Sequence, residues 1–95
     1  MKTYYNYILK SLTDNKLYIG VTRNLIQRLN EHAKGRVIST KNRRPFILVY
    51  YEVSYNEESA FHREKYLKST YGHRYLKNRL GQNPIGPEIN SITQC

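Results

Sequence analysis

The sequence predicts a small α+β domain, a three-stranded sheet with flanking helices in the order β-β-α-β-α-α. Three observations predict it. Two aromatic and aliphatic runs, Tyr4–Lys10 and Leu17–Val21, stand on either side of the turn-forming pair Asp14-Asn15. From Leu25 to Ala33, helical spacing places Leu25, Ile26, Leu29 and Ala33 on one apolar arc. After Pro45 comes a continuous apolar run, Phe46-Ile47-Leu48-Val49-Tyr50-Tyr51, followed by further helical sequence.

Each element has a local reason. Residues 4–21 read as a β-hairpin with a loop of several residues. Thr22 or Asn24 can accept a hydrogen bond from the first free amides of the helix that follows, and Gly35 stops that helix. The run 46–51 lacks polar alternation, which predicts a strand covered on both faces. Asn56 caps a second helix through about Ser69, and a third stretch, Arg74–Leu80, ends at Gly81. Residues 1–80 therefore form the domain. Residues 81–95, with Pro84 and Pro87 around Gly86, have no periodicity and read as a flexible tail.

Composition narrows the class. The chain has 95 residues and 11.3 kDa, enough for one domain with a thin core. Sixteen Lys+Arg against seven Asp+Glu give a net charge of +9 and a pI near 9.8, which favours polyanionic partners. No apolar run approaches the roughly 20 residues of a membrane helix, and Asn6 and Lys10 interrupt any signal-peptide core. One cysteine, Cys95, cannot form an internal disulfide, and no Cys/His spacing resembles a zinc site. A cytoplasmic setting is expected. Neither GxxxxGK[ST] nor GxGxxG occurs, so no nucleotide cofactor is expected.

Some residues do not behave like packing. On the second helix Glu64 falls in the middle of the arc of Ala60, Leu67 and Tyr71, where a carboxylate is costly unless paired or ligating a cation. Two readings stand: a slightly rotated helix in which Glu64 reaches solvent or pairs with Lys68 at i+4, or a metal ligand facing a cleft. Arg28 and His32 are neighbours on the first helix and flank its apolar arc. Tyr7 and Tyr18 share one face of the hairpin in any register whose paired numbers sum to an odd value. Gly20, inside the second strand, marks a close approach of another group to the backbone.

Taken in order, these residues form a pattern. Tyr5-Asn6-Tyr7 and, ten residues later, Tyr18-Ile19-Gly20 are followed by Leu25, Arg28-Leu29 and His32. Then come Arg44-Pro45-Phe46 with Leu48-Val49-Tyr50-Tyr51-Glu52, and Ala60 with Arg63-Glu64 and Leu67-Lys68. The set resembles the GIY-YIG endonuclease family, specifically its small stand-alone bacterial type related to the excinuclease C N-terminal domain. The likeness covers about residues 4–80. Asn6-Tyr7 departs from Gly-Ile-Tyr and keeps only the tyrosine; the second motif is intact.

The resemblance implies a metal-dependent endonuclease hydrolysing phosphodiester bonds in DNA, in a setting such as DNA repair. Its implied cofactor is one Mg²⁺ or Mn²⁺ held by Glu64. Tyr7 and Tyr18 match the two motif tyrosines, Arg28 the catalytic arginine and His32 the helix histidine. Asn78, fourteen positions past Glu64, is a candidate for a further active-site amide. The residue types suit the chemistry: a guanidinium fork for phosphate oxygens and a cation to polarise the ester. The general base is open among Tyr7, Tyr18 and His32, since a phenol needs cationic neighbours to serve.

The charge is concentrated. Lys34, Arg36, Lys41, Arg43 and Arg44 lie within residues 34–45, which contain no acid. This segment is expected to hold the nucleic-acid backbone, with Ser39 and Thr40 as added phosphate donors. No base-reading module is recognisable, so low sequence specificity is expected, with selectivity from DNA structure or a protein partner. Two competing readings are a non-catalytic nucleic-acid-binding domain that retains the fold, and a protein-interaction module built on the tyrosine-rich surface.

Overall fold

The computed structural model describes residues 2–80, the side chain of Leu80 excepted; the expected tail at 81–95 lies outside the described residues. The element order is β1 (Tyr4–Ser11), β2 (Leu17–Thr22), α1 (Leu25–Ala33), β3 (Phe46–Ser54), α2 (Glu57–Lys68) and α3 (Thr70–Leu80), with a short 3-10 turn at Lys41–Arg43. This is the predicted β-β-α-β-α-α order. The sheet runs β2-β1-β3 and is antiparallel throughout.

Local chemistry accounts for the boundaries. Asn15 takes a positive φ of 61° in the hairpin loop, where asparagine is tolerated, and the Asp14 carboxylate accepts from the Lys16 amide. Asn24 rather than Thr22 caps α1, its side chain accepting from Gln27 N at 3.0 Å; Asn56 does the same for α2 through Ser59 N at 2.9 Å. The α1 helix ends in a Schellman arrangement. Arg36 N donates to Glu31 O and Gly35 N to His32 O, with Gly35 at φ 74°.

Two corrections concern coverage. The strand buried on both faces is β1, not β3, because β1 lies between the other two strands while β3 is an edge. The apolar run of β3 is mostly half-buried, and a bulge leaves Val49 unpaired between Leu48 and Tyr50. Ile26, expected on the apolar arc of α1, is exposed; the helix is rotated so that Leu25, Leu29 and His32 turn inward.

A third difference is the start of α3, four residues earlier than expected. Ser69 alone separates it from α2, and the Ser69 hydroxyl accepts from Gly72 N. Gly72 permits this junction, since a side chain there would overlap the backbone of Tyr66 and Leu67. Tyr71, counted with the arc of the second helix, therefore belongs to α3 and is exposed.

Alternation along β1 divides the core. Its odd residues Tyr7 and Leu9 pack with Leu25 and Leu29 of α1 and with Phe46. Its even residue Ile8 packs with Ile19, Leu67 of α2 and Leu76 of α3. Asn6, also even and fully buried, donates from its amide to Ala60 O at 3.0 Å. One face of the sheet thus carries α1, the other α2 and α3.

Candidate active site

Pairing between β1 and β2 sets Tyr7 opposite Gly20 and Leu9 opposite Tyr18. The paired numbers sum to an odd value, so Tyr7 and Tyr18 share the α1 face as diagonal neighbours, with ring centroids 6.3 Å apart. Gly20 makes room: a Cβ there would stand 2.5 Å from the Tyr7 hydroxyl. The close approach expected at this glycine is made by the tyrosine.

The third ring comes from α1. The His32 imidazole lies 5.1 Å from the Tyr18 centroid and 5.6 Å from that of Tyr7. It is completely buried rather than flanking the apolar arc. Its Nε2 is 2.8 Å from the Tyr7 hydroxyl and its Nδ1 2.8 Å from Thr40 Oγ1. The Thr40 hydroxyl donates to Val37 O at 3.4 Å, which leaves its lone pairs for an Nδ1–H. The tautomer follows: Nδ1 carries the proton, and Tyr7 O–H donates to Nε2.

Electrostatics agree with this assignment. Burial, then the Arg28 charge, push the His32 pKa down to about 4 against a smaller opposing pull from Glu31, so the ring is neutral near pH 7. Burial raises the Tyr7 pKa well above the ordinary phenol value, while the hydrogen bond and charge of Arg28 pull the other way. Arg28 itself is partly exposed and bonds Glu31 at 3.2 Å, and it lines a hollow of about 330 Å³ with Arg23, Gln27 and Glu31. A buried proton line ending beside an accessible guanidinium can orient a nucleophile and hold an anion.

Thr40 requires a correction. It is fully buried and its hydroxyl serves His32, so it does not stand at the surface as a phosphate donor. Its link to the site lies eight residues away across a turn, and no local pattern signals it. Arg43 and Arg44 are also engaged internally. Arg43 pairs with Asp14 at 2.8 Å and donates to Lys16 O, bracing the basic segment against the hairpin loop. Arg44 donates to Lys41 O and Ala33 O across Gly35. Lys34, Arg36 and Lys41 remain exposed.

Glu64 stands on α2, across the sheet from the three rings. It pairs with Lys68 at 3.2 Å and lines a hollow of about 310 Å³ with Glu58, Phe61, His62 and Lys65. The preceding residue, Arg63, turns toward β3 and binds both carboxylate oxygens of Glu52 at 2.7 and 3.0 Å. Successive helix residues point about 100° apart, so Glu64 turns away from β3. Among the described residues no group of three or more His, Cys, Asp or Glu is arranged to hold a metal. Asn78 is exposed on α3.

Comparisons with known proteins coincide with this arrangement. The family model described as the GIY-YIG catalytic domain matches residues 3–80. A UPF0213 protein of Staphylococcus haemolyticus is 38% identical over 78 residues, covering 81% of this chain and 94% of that protein. A UPF0213 protein of Pediococcus pentosaceus is 42% identical over 66 residues, 68% of each. The solution NMR structure of a UPF0213 protein from Bacillus halodurans superimposes with a TM-score of 0.53 at 30% identity, covering 83% of this chain and 86% of that one. With paired tyrosines, a helix arginine and a helix histidine on one face of an antiparallel three-stranded sheet, and a matching family model over nearly all the described residues, the chain belongs to the GIY-YIG family.

Proposed function

We propose that the protein is a metal-dependent endonuclease hydrolysing phosphodiester bonds in DNA with low sequence specificity. The observation that carries this reading is the Thr40–His32–Tyr7 hydrogen-bond line ending beside Arg28, inside a GIY-YIG domain. Structural packing alone has no need of a buried tyrosine that donates to a buried neutral imidazole next to a guanidinium.

Roles follow from the atoms. Arg28 binds the non-bridging oxygens of the scissile phosphate; freeing its full fork means exchanging Glu31 for the substrate. Tyr7 donates its O–H as a hydrogen bond to His32 Nε2, which leaves the lone pairs of the phenol oxygen to accept a hydrogen bond from the attacking water and so orient it. The Nδ1–H bond to Thr40 holds the ring in the tautomer that permits this. Tyr18, half-buried beside both rings, helps to position that water. Lys34, Arg36 and Lys41 contact the DNA backbone, with Arg43 and Arg44 keeping their segment in place.

The cation belongs on Glu64. A hydrated Mg²⁺ or Mn²⁺ needs only one or two carboxylates and keeps several waters, which suits a lone, partly exposed glutamate. An ion held there would supply positive charge to a phosphate. Glu64 and Arg28 stand on opposite faces of the sheet and line separate hollows, so the two do not share one phosphate in this arrangement. Lys68 occupies Glu64 at present and must yield to the ion. That ion pair favours a second reading, a DNA-binding domain that retains the fold without turnover.

The test is incubation with Mg²⁺ and single-stranded, nicked or branched DNA. Cleavage that EDTA abolishes and that Arg28→Ala and Glu64→Ala remove supports the endonuclease. Salt-sensitive binding without product, indifferent to EDTA, supports the second reading.

A further inference from the structure

On the α1 face, the sheet is only partly covered. The nine residues of α1 span about 13 Å, against about 26 Å for the eight extended residues of β1. Leu25 and Leu29 close over Tyr7, Leu9 and Phe46, so the far end of the face stays open. There Tyr51 and Val53 of β3 stand beside Tyr5 of β1, on the face set by the pairs Tyr7–Tyr51 and Tyr5–Val53. The rings of Tyr5 and Tyr51 have centroids 6.2 Å apart, inclined at 57°. Ile26, turned outward from α1, forms the opposite wall, and Arg23 the rim; the hollow measures about 410 Å³.

This end is unusually apolar for such a basic chain. Tyr51 is 52% exposed and Ile26 55%, positions at which a purely structural sheet edge would carry polar groups. It also adjoins the proposed phosphate site. Arg23 and Asn24 line both this hollow and the neighbouring one that contains Arg28. One cation is therefore shared between an aromatic shelf and an arginine facing the buried proton line. Among the described residues the only acid lining either hollow is Glu31, and it is paired with Arg28.

We propose that this shelf binds an unpaired base of single-stranded DNA, stacked against Tyr51 and Tyr5, with the adjoining phosphate on Arg23. Exposed aromatic rings alternating with guanidinium groups are the usual means of holding single strands, because every base has a π face while the bases of a duplex are already stacked. The charge of the rim selects a polyanion over an apolar peptide or a second copy of this basic chain. The occupant gives the enzyme a preference for substrates with an unpaired strand beside the scissile phosphate. This rests on the proposed function for the choice of DNA, and its test is independent of cleavage.

The test is fluorescence anisotropy in EDTA at about 50 mM salt, using a short labelled single-stranded DNA and a blunt duplex of equal length. Tyr51→Ala lowers single-strand affinity about 10-fold, leaves the duplex unaffected, and Tyr51→Phe restores binding. Ile26→Ser, on the other wall, gives the same selective loss without touching the sheet. An equal loss on both DNAs, or no loss on the single strand, overturns the shelf. So does a concentration-dependent dimer in sedimentation that Tyr51→Ala abolishes. Cleavage in Mg²⁺ alongside unchanged binding by Tyr51→Ala sinks the shelf alone; selective shelf binding without any cleavage sinks the endonuclease reading alone.

Discussion

The Tyr7 hydroxyl occupies the volume that a side chain at position 20 would fill, 2.5 Å from where its Cβ would lie. The tyrosine cannot step aside, because the same oxygen is tied to His32 Nε2 at 2.8 Å and the ring is buried. Gly20→Ala is therefore an overpacking change. It costs about 1–3 kcal/mol, read as a lower urea midpoint, and it abolishes cleavage; a variant as stable as the parent contradicts the assigned contact.

His32 makes stability depend on pH. Its folded pKa, about 4, lies below the ordinary value of 6.5, so the unfolded chain binds more protons between the two. Stability is full above about pH 6.5 and falls as the pH drops toward 4. The loss is on the order of 3 kcal/mol. Urea titrations at successive pH values read this slope, and His32→Gln flattens it. An unchanged slope in that variant assigns the effect to another group.

Thr40→Val keeps the shape and removes the hydroxyl, leaving Nδ1–H without its acceptor in the interior. The expected cost is about 1–3 kcal/mol. Thr40→Ser, which keeps the oxygen, restores most of it. In cleavage assays Thr40→Val lowers kcat rather than raising KM, because Thr40 positions His32 and touches no DNA. A loss confined to KM instead points to a role in substrate binding.

Arg28→Lys retains the charge and loses the planar fork. The proposed role predicts a drop in kcat of about 10²–10³, with DNA affinity in EDTA little changed. Near-parental turnover would leave Arg28 as no more than a partner for Glu31.

Removing Lys68 frees Glu64 from its ion pair. Lys68→Met lowers the Mg²⁺ concentration needed for half-maximal cleavage, while Glu64→Gln abolishes the metal response. The pair is partly exposed, so stability changes little in either case. A metal response unaffected by Glu64→Gln moves the ion to other ligands.

Much of this was legible from the residue order. Pattern and capping chemistry located the first two strands and the first two helices to within a residue or so, because Asn24, Asn56, Gly35 and the Asp14-Asn15 turn act on their immediate neighbours. The third strand runs three residues past the expected Tyr51 to Ser54. Parity tied the shared face of Tyr7 and Tyr18 to an odd-sum register, and the observed pairing of Tyr7 with Gly20 is such a register. What escaped depends on contacts distant in the chain. Which strand is central is decided by pairing, so β3 was expected to be more covered than it is. Ile26 and His32 exchange their expected environments through a modest rotation of α1, which the helical period tolerates. Thr40 looked like one more polar residue in a charged loop until the turn at Val37 brought it to the imidazole. The early start of α3 likewise rests on a packing contact, the close approach of Gly72 to the backbone of Tyr66 and Leu67.

The strict alternation of β1 makes this strand all-or-none. Tyr7 works on one side of the sheet while its neighbours Asn6 and Ile8 hold up the other. Sliding the chain by a single position would exchange the two populations wholesale, sending the phenol into the scaffold and the amide into the workshop. No half-shifted arrangement keeps part of either job, so a one-residue deletion within this strand is expected to be as damaging as losing the strand entirely.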